Sequence, residues 1–110
     1  MNDRELLEMA AKAAKITHEG LDDPDDETSG LWVSWATSWN PLTDDGDALR
    51  LAVSLRLSPM MRTLGCDTAD LNETAGAYEK WGGDPYAATR RAIVRAAAEI
   101  GRQMQEGGEE

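Results

Sequence analysis

The chain of 110 residues has the length of one domain, and its 41% hydrophobic and 29% charged residues are typical of a globular fold. Its formal net charge of -10 argues against direct binding to DNA, RNA or an anionic membrane surface, because these bind mainly through Lys and Arg. The charge favours a protein partner with a basic surface. No apolar run is long enough for a signal peptide or a membrane span, and a single cysteine, Cys66, suits a reducing compartment, so the sequence predicts a cytoplasmic protein.

The first predicted helix covers residues 2–16. Asn2 and Glu5 have the spacing of a capping box, and apolar residues recur on one face. The following segment, residues 21–30, reads "LDDPDDETSG", and it is predicted to be an acidic loop because it has no hydrophobic periodicity.

Residues 31–39, "LWVSWATSW", alternate in a way that predicts one strand with an apolar face. Residues 43–57 are predicted to form a second helix, with Ala48, Leu51, Ala52 and Leu55 as its apolar stripe and Leu49 and Val53 widening it. Residues 60–83 are predicted to contain two strands separated by the turn-forming segment "TADLNET".

The last predicted helix covers residues 84–105, with Asp84 as N-cap and Pro85 in the first turn. Its small residues Ala92, Ala96 and Ala97 would allow close packing on a sheet or another helix. The order helix-strand-helix-strand-strand-helix predicts an α+β domain, an α/β/α sandwich with a short antiparallel sheet of about three strands and helices packed on it. Residues 1–105 are predicted to form this single domain, and residues 106–110 are predicted to form a flexible acidic tail.

The segment "WNPLTDDGD" at residues 39–47 contains the acids Asp44, Asp45 and Asp47. Such a cluster suits Mg²⁺ or Ca²⁺, but it also suits a helix start, where Thr43 or Asp44 caps and the dipole stabilises acids in the first turn. We favour the helix start. A second candidate, the calcium-loop spacing of Asp23, Asp25 and Glu27, fails at two defining positions, so no metal site is predicted.

The sequence predicts no catalytic residues and no cofactor. His18 and Cys66 are the only residues of their kinds, and each has a structural explanation, at a helix end and in a strand. We therefore predict that the protein is not an enzyme. Of the four tryptophans, Trp35 and Trp39 are predicted to be in the core. Trp32 and Trp81 have two interpretations: core or partial burial, which is the commoner fate of tryptophan, and exposure at a binding surface.

The layout of charge is the most unusual feature. No Lys or Arg occurs between Lys15 and Arg50, whereas nine acids do. This pattern predicts an acidic face that binds a basic protein surface. The candidate contact residues are Asp22, Asp23, Asp25, Asp26, Glu27, Trp32, Asp44, Asp45 and Asp47.

The segments "WNPLTDDGDALRLAVSL" and "DPYAATRRAIVRAAAEIG" resemble the small phage and prophage proteins with a phage ABA-sandwich domain. The resemblance is sharpest at residues 40–55 and 84–101 and implies a phage accessory protein in the host cytoplasm, with no catalytic residues to carry over. It fits a protein that binds a host or phage protein, for example as an anti-defence inhibitor or nucleic-acid mimic. Two alternatives remain open. One is a small-ligand or divalent-metal module with a pocket at Trp39 and Asn40, and the other is a self-associating assembly protein, such as a homodimer.

Overall fold

The first helix begins at the predicted capping box. The computed structural model describes residues 2–17, 30–34 and 37–106, without the side chains of residues 32–34 and 37. Helix α1 runs from Asp3 to Ala14, with the Glu5 N–H donating to Asn2 Oδ1 over 2.8 Å and the Asn2 N–H donating to Glu5 Oε1 over 3.1 Å. These reciprocal bonds satisfy two free amide groups of the first turn. The helix ends at Lys15, which adopts a left-handed backbone with a φ of 60°.

The predicted single strand over residues 31–39 is wrong, because the segment folds back on itself. Strand β1 (Leu31–Ser34) pairs antiparallel with β2 (Thr37–Trp39), and Leu31 lies opposite Trp39. Both of these side chains are buried in the main core. Alternation alone does not distinguish one strand from this hairpin, because Leu31 and Trp39, eight residues apart, share a face in both arrangements.

Helix α2 runs from Asp45 to Leu55, so it begins two residues later and ends two residues earlier than predicted. Asp44 is the N-cap, and its carboxylate accepts the Asp47 N–H over 2.7 Å. Arg56 ends the helix in a left-handed conformation with a φ of 58°. The predicted stripe residues Ala48, Leu51 and Ala52 are buried.

Three strands, rather than the predicted two, follow α2. They are β3 (Ser58–Met61), β4 (Gly65–Ala69) and β5 (Gly76–Lys80), and they form an antiparallel sheet in the order β3-β4-β5. The segment "MMRTLGCD" therefore contains a turn, which closes where the Arg62 N–H donates to the Gly65 carbonyl over 2.8 Å. Cys66 and Thr68 of β4 are fully buried, and β4 packs against the last helix of the chain.

Helix α3 (Pro85–Glu106) contacts α1, α2 and the three-stranded sheet. Asp84 caps it by accepting the N–H groups of Tyr86 and Ala87. Ala92, Ala96 and Ala97 are completely buried, which confirms the close packing predicted from their size. The α+β class, the antiparallel three-stranded sheet and the helix-strand-helix-strands-helix order are thus confirmed.

Candidate functional site

The three acids at the start of α2 each contact a group of the same chain. Asp44 caps the helix, while Asp47 accepts the Asn40 N–H over 2.9 Å and the Arg50 guanidinium over 2.7 Å. Asp45 accepts from Arg90 of α3 over 2.6 Å. These contacts support the interpretation of "TDDGD" as a helix start.

Arg90 holds the beginning of α2 against α3. Its Nε donates to the Leu42 carbonyl over 2.8 Å, and its Nη1 donates to Asp45. The Arg90 side chain is only 16% exposed, whereas that of Asp45 is 70% exposed. The ion pair therefore presents its carboxylate to solvent and keeps its guanidinium inside.

Beside this ion pair lies a groove of about 360 Å³ between α2, β3 and α3, which we call the apolar groove. Asp45 and Arg90 border one part of it, and Trp81 borders another. The Trp81 ring is held by a hydrogen bond from its Nε1 to the Arg62 carbonyl, over 3.1 Å. The apolar lining is formed chiefly by Ala48, Leu49, Pro59, Met61, Tyr86 and Ile93.

The rim of the apolar groove keeps large apolar side chains in solvent. Leu49 and Met61 are each 63% exposed and Tyr86 is 71% exposed, whereas Ala48 and Ile93 in the floor are buried. Val53, one helical turn after Leu49, is 67% exposed. Contiguous exposed apolar side chains are uncommon on proteins that work alone and are typical of interaction surfaces.

A second cavity of about 420 Å³ lies between α1, β5 and α3 and is lined by charged groups. Arg95 donates to Glu79 over 2.5 Å and to the Tyr78 carbonyl over 3.1 Å, and Arg91 donates to Asp3 over 3.1 Å. Both guanidinium groups of α3 have carboxylate partners, at the start of α1 for Arg91 and in β5 for Arg95. These contacts hold α1 and β5 against α3.

Two carboxyl groups, those of Asp70 and Glu99, have lowered pKa values. The Thr74 hydroxyl, which donates to Asp70 over 2.7 Å, lowers the pKa of Asp70, and the N–H groups of Ala75 and Thr74 add to this effect. A hydrogen bond from Arg102 lowers the pKa of Glu99. Both groups stabilise local structure, a turn in one case and the last part of α3 in the other.

The structure describes one of the two side chains considered as a nucleophilic pair. Cys66 is buried with its Sγ 3.5 Å from Thr68 Oγ1, and His18 lies outside the described residues. Within residues 2–17, 30–34 and 37–106, no three His, Cys, Asp or Glu residues are placed to hold a metal ion. In the same ranges, no helix is both long enough and apolar enough to cross a membrane.

The predicted acidic face is described only in part. Asp22, Asp23, Asp25, Asp26 and Glu27 lie outside the described residues, as does the side chain of Trp32. Asp44, Asp45 and Asp47 come together at the start of α2, beside the apolar groove.

The predicted ligand pocket at Trp39 and Asn40 stays a prediction. Trp39 is 7% exposed and packs in the core, and the Asn40 side chain accepts the Leu42 N–H over 3.1 Å. Neither residue lines either of the two cavities above.

Sequence reasoning missed the apolar groove, although a signal for it was present. Leu49 and Val53 widen the apolar stripe of α2 beyond what one packed face can bury. The pattern predicts a broader core face, whereas both side chains are exposed.

Comparison of the chain with known protein families, with curated proteins and with solved structures gives no match. The resemblance to phage ABA-sandwich proteins therefore stays a prediction.

Proposed function

We propose that this protein acts by binding another protein, and that the apolar groove is its contact surface. The observation that carries this proposal is the rim of the groove, where Leu49, Met61 and Tyr86 remain mostly exposed around a buried floor. A partner that covered these side chains would remove their apolar area from water, at about 25 cal/mol for each Å². The predicted basic partner suits this surface as well, since Asp45 at the α2 start borders it.

A small apolar ligand is the second candidate, because the volume of about 360 Å³ lies within the range of ligand pockets. The exposed apolar surface, however, extends beyond the cavity to Val53. A small ligand would leave that extension in water, whereas a protein segment would cover it. The surface therefore favours a protein.

The test uses a displayed library of random peptides, about 16 residues long, selected on the intact protein. Synthetic copies of the enriched peptides are then measured by fluorescence anisotropy. We expect the substitutions Leu49→Asp and Met61→Asp to weaken binding by roughly tenfold or more, because each places a carboxylate in the apolar contact.

The matched control is Leu71→Asp. Leu71 is 70% exposed, much like Leu49, but it lies in the turn between β4 and β5. We expect this variant to bind as the parent does. Circular dichroism should show all three variants folded, since each changes an exposed side chain. Enriched peptides that bind all three equally would exclude the apolar groove as the contact surface.

A further inference from the structure

We propose that the occupant of the apolar groove is an amphipathic helix of a partner protein, with Lys or Arg residues flanking its apolar stripe. This inference rests on the proposed function and specifies the partner. It combines the edge of the sheet at the groove, the charge around it, and the spacing of the exposed apolar side chains.

Strand β3 borders the groove, and its outer edge is unsuited to a partner strand. The Arg62 N–H bonds to Gly65, so the alternation of an antiparallel ladder places Pro59 and Met61 at positions whose backbone groups point away from β4. Pro59 has no N–H to offer there. An added strand would therefore lack one of its ladder hydrogen bonds, and β3 is only four residues long. This edge disfavours an extended occupant.

The opposite walls of the groove come from α2 and α3, which suits a third helix. Leu49 and Val53 are exposed and four residues apart, so they form a ridge along α2. Such a ridge can pack into a groove between side chains of another helix. Partner helices that dock in such grooves use apolar residues at i, i+3, i+4 and i+7.

The charge around the groove indicates which residues flank the apolar stripe of that helix. Asp45 borders the groove and is exposed, while its partner Arg90 is nearly covered. The Asp44 side chain is 58% exposed and lies 3.9 Å from the exposed Arg50 guanidinium, and Asp84 is exposed at the start of α3. The field of these acids, together with the net charge of -10, attracts a basic segment. It disfavours a second copy of this chain, which would bring an equal negative charge to the same face.

The enriched peptides described above serve as the probes. We expect their sequences to show apolar residues at helical spacing, with Lys or Arg beside them, and their circular dichroism to gain helix on binding. Replacing a central residue by Pro should abolish binding. Replacing Lys and Arg by Glu should weaken binding by roughly tenfold, and raising the salt concentration should weaken the binding of the basic peptides.

The protein variant Asp45→Lys tests the same contact from the other side. It should weaken binding of the basic peptides several-fold and favour the Glu-substituted ones, while Leu71→Asp leaves both unchanged. The amphipathic basic helix would be overturned if binding depended on Leu49 but tolerated Pro in the peptide, or if peptides with Lys and with Glu bound equally well. In both cases the groove would still be a binding surface. Loss of dependence on Leu49 would instead overturn the proposed function itself.

Discussion

Gly101 of α3 lies directly against the backbone of Met9 in α1. A β-carbon at position 101 would fall well inside the contact distance of the Met9 carbonyl oxygen. Because that neighbour is backbone rather than a flexible side chain, it cannot turn away. This contact sets how closely the two helices approach, and the buried alanines of α3 fill the rest of their interface.

Gly101→Ala should therefore destabilise the protein, although alanine is the better helix former by about 1 kcal/mol. Overpacking of this kind costs about 1–3 kcal/mol, so we expect the melting temperature to fall by several degrees. The control is Gly83→Ala, where a β-carbon would meet no atom within 4 Å. A thermal melt that ranked Gly101→Ala equal to or above this control would contradict the close contact.

The cap of α2 gives a second prediction, which separates Asp44 from its neighbour Thr43. Asp44→Ala removes the acceptor for the Asp47 N–H and should cost about 0.5–2 kcal/mol of unfolding free energy. Asp44→Asn should keep most of the stability, because an amide oxygen accepts the same bond. Thr43→Ala should have little effect. Urea unfolding of the three variants checks this order, and a larger loss for Thr43→Ala than for Asp44→Ala would reassign the cap.

The lowered pKa of Asp70 predicts how stability changes with pH. The unfolded carboxyl has a pKa of about 3.9, so in the acid range the unfolded chain binds a proton more readily than the folded one. This contribution is fully present above the unfolded pKa and is lost as the pH falls through the folded pKa. Asp70→Asn should reduce the loss of stability between about pH 5 and pH 3.

Thr74→Val is the companion variant, because it removes the hydroxyl that lowers the pKa of Asp70 most. It should flatten the same part of the pH curve. Urea unfolding at several pH values measures both variants. An unchanged slope in Asp70→Asn would show that other carboxyl groups account for the acid sensitivity.

The left-handed residues Lys15 and Arg56 predict two stabilising substitutions. For a residue other than glycine this conformation costs about 1–2 kcal/mol of steric strain. Glycine avoids the strain, but it loses more conformational entropy on folding, which offsets part of the stabilisation. Lys15→Gly and Arg56→Gly should each raise the unfolding free energy by about 0.5–1 kcal/mol. Lys12→Gly, inside α1, should lower it by about 1 kcal/mol. Unfolding by a chemical denaturant measures the three variants, and a loss of stability in all of them would contradict the cap geometry.

Structural features that depend on a few adjacent residues were predicted well. The capping box of Asn2 and Glu5, and Asp84 followed by Pro85, depend on hydrogen bonds within one turn, so their spacing in the sequence is enough. For α2 the sequence left Thr43 and Asp44 as candidate caps, and the structure shows Asp44. The helix ends were harder, because Lys15 and Arg56 occupy a position where glycine is usual.

Two hairpins and the apolar groove, which depend on distant partners, were not predicted. Neither hairpin, that of β1 and β2 nor that of β3 and β4, has the Asn-Gly or Asp-Gly pair that marks a tight turn. Likewise, the apolar character of Leu49 does not say whether another element of the same chain covers it. At the candidate site, the sequence therefore predicted the acids of α2 but not the apolar groove beside them.

The dominant position of α3 has a consequence for synthesis on the ribosome. This helix is made after α1, α2 and both sheets, yet it is the element that packs against α1, α2 and β3-β4-β5. Until residues 85–106 leave the exit tunnel, the earlier segments lack the surface on which they bury their apolar faces. Cooperative folding of this domain therefore waits for residues 85–106, whatever part of the core has formed before them.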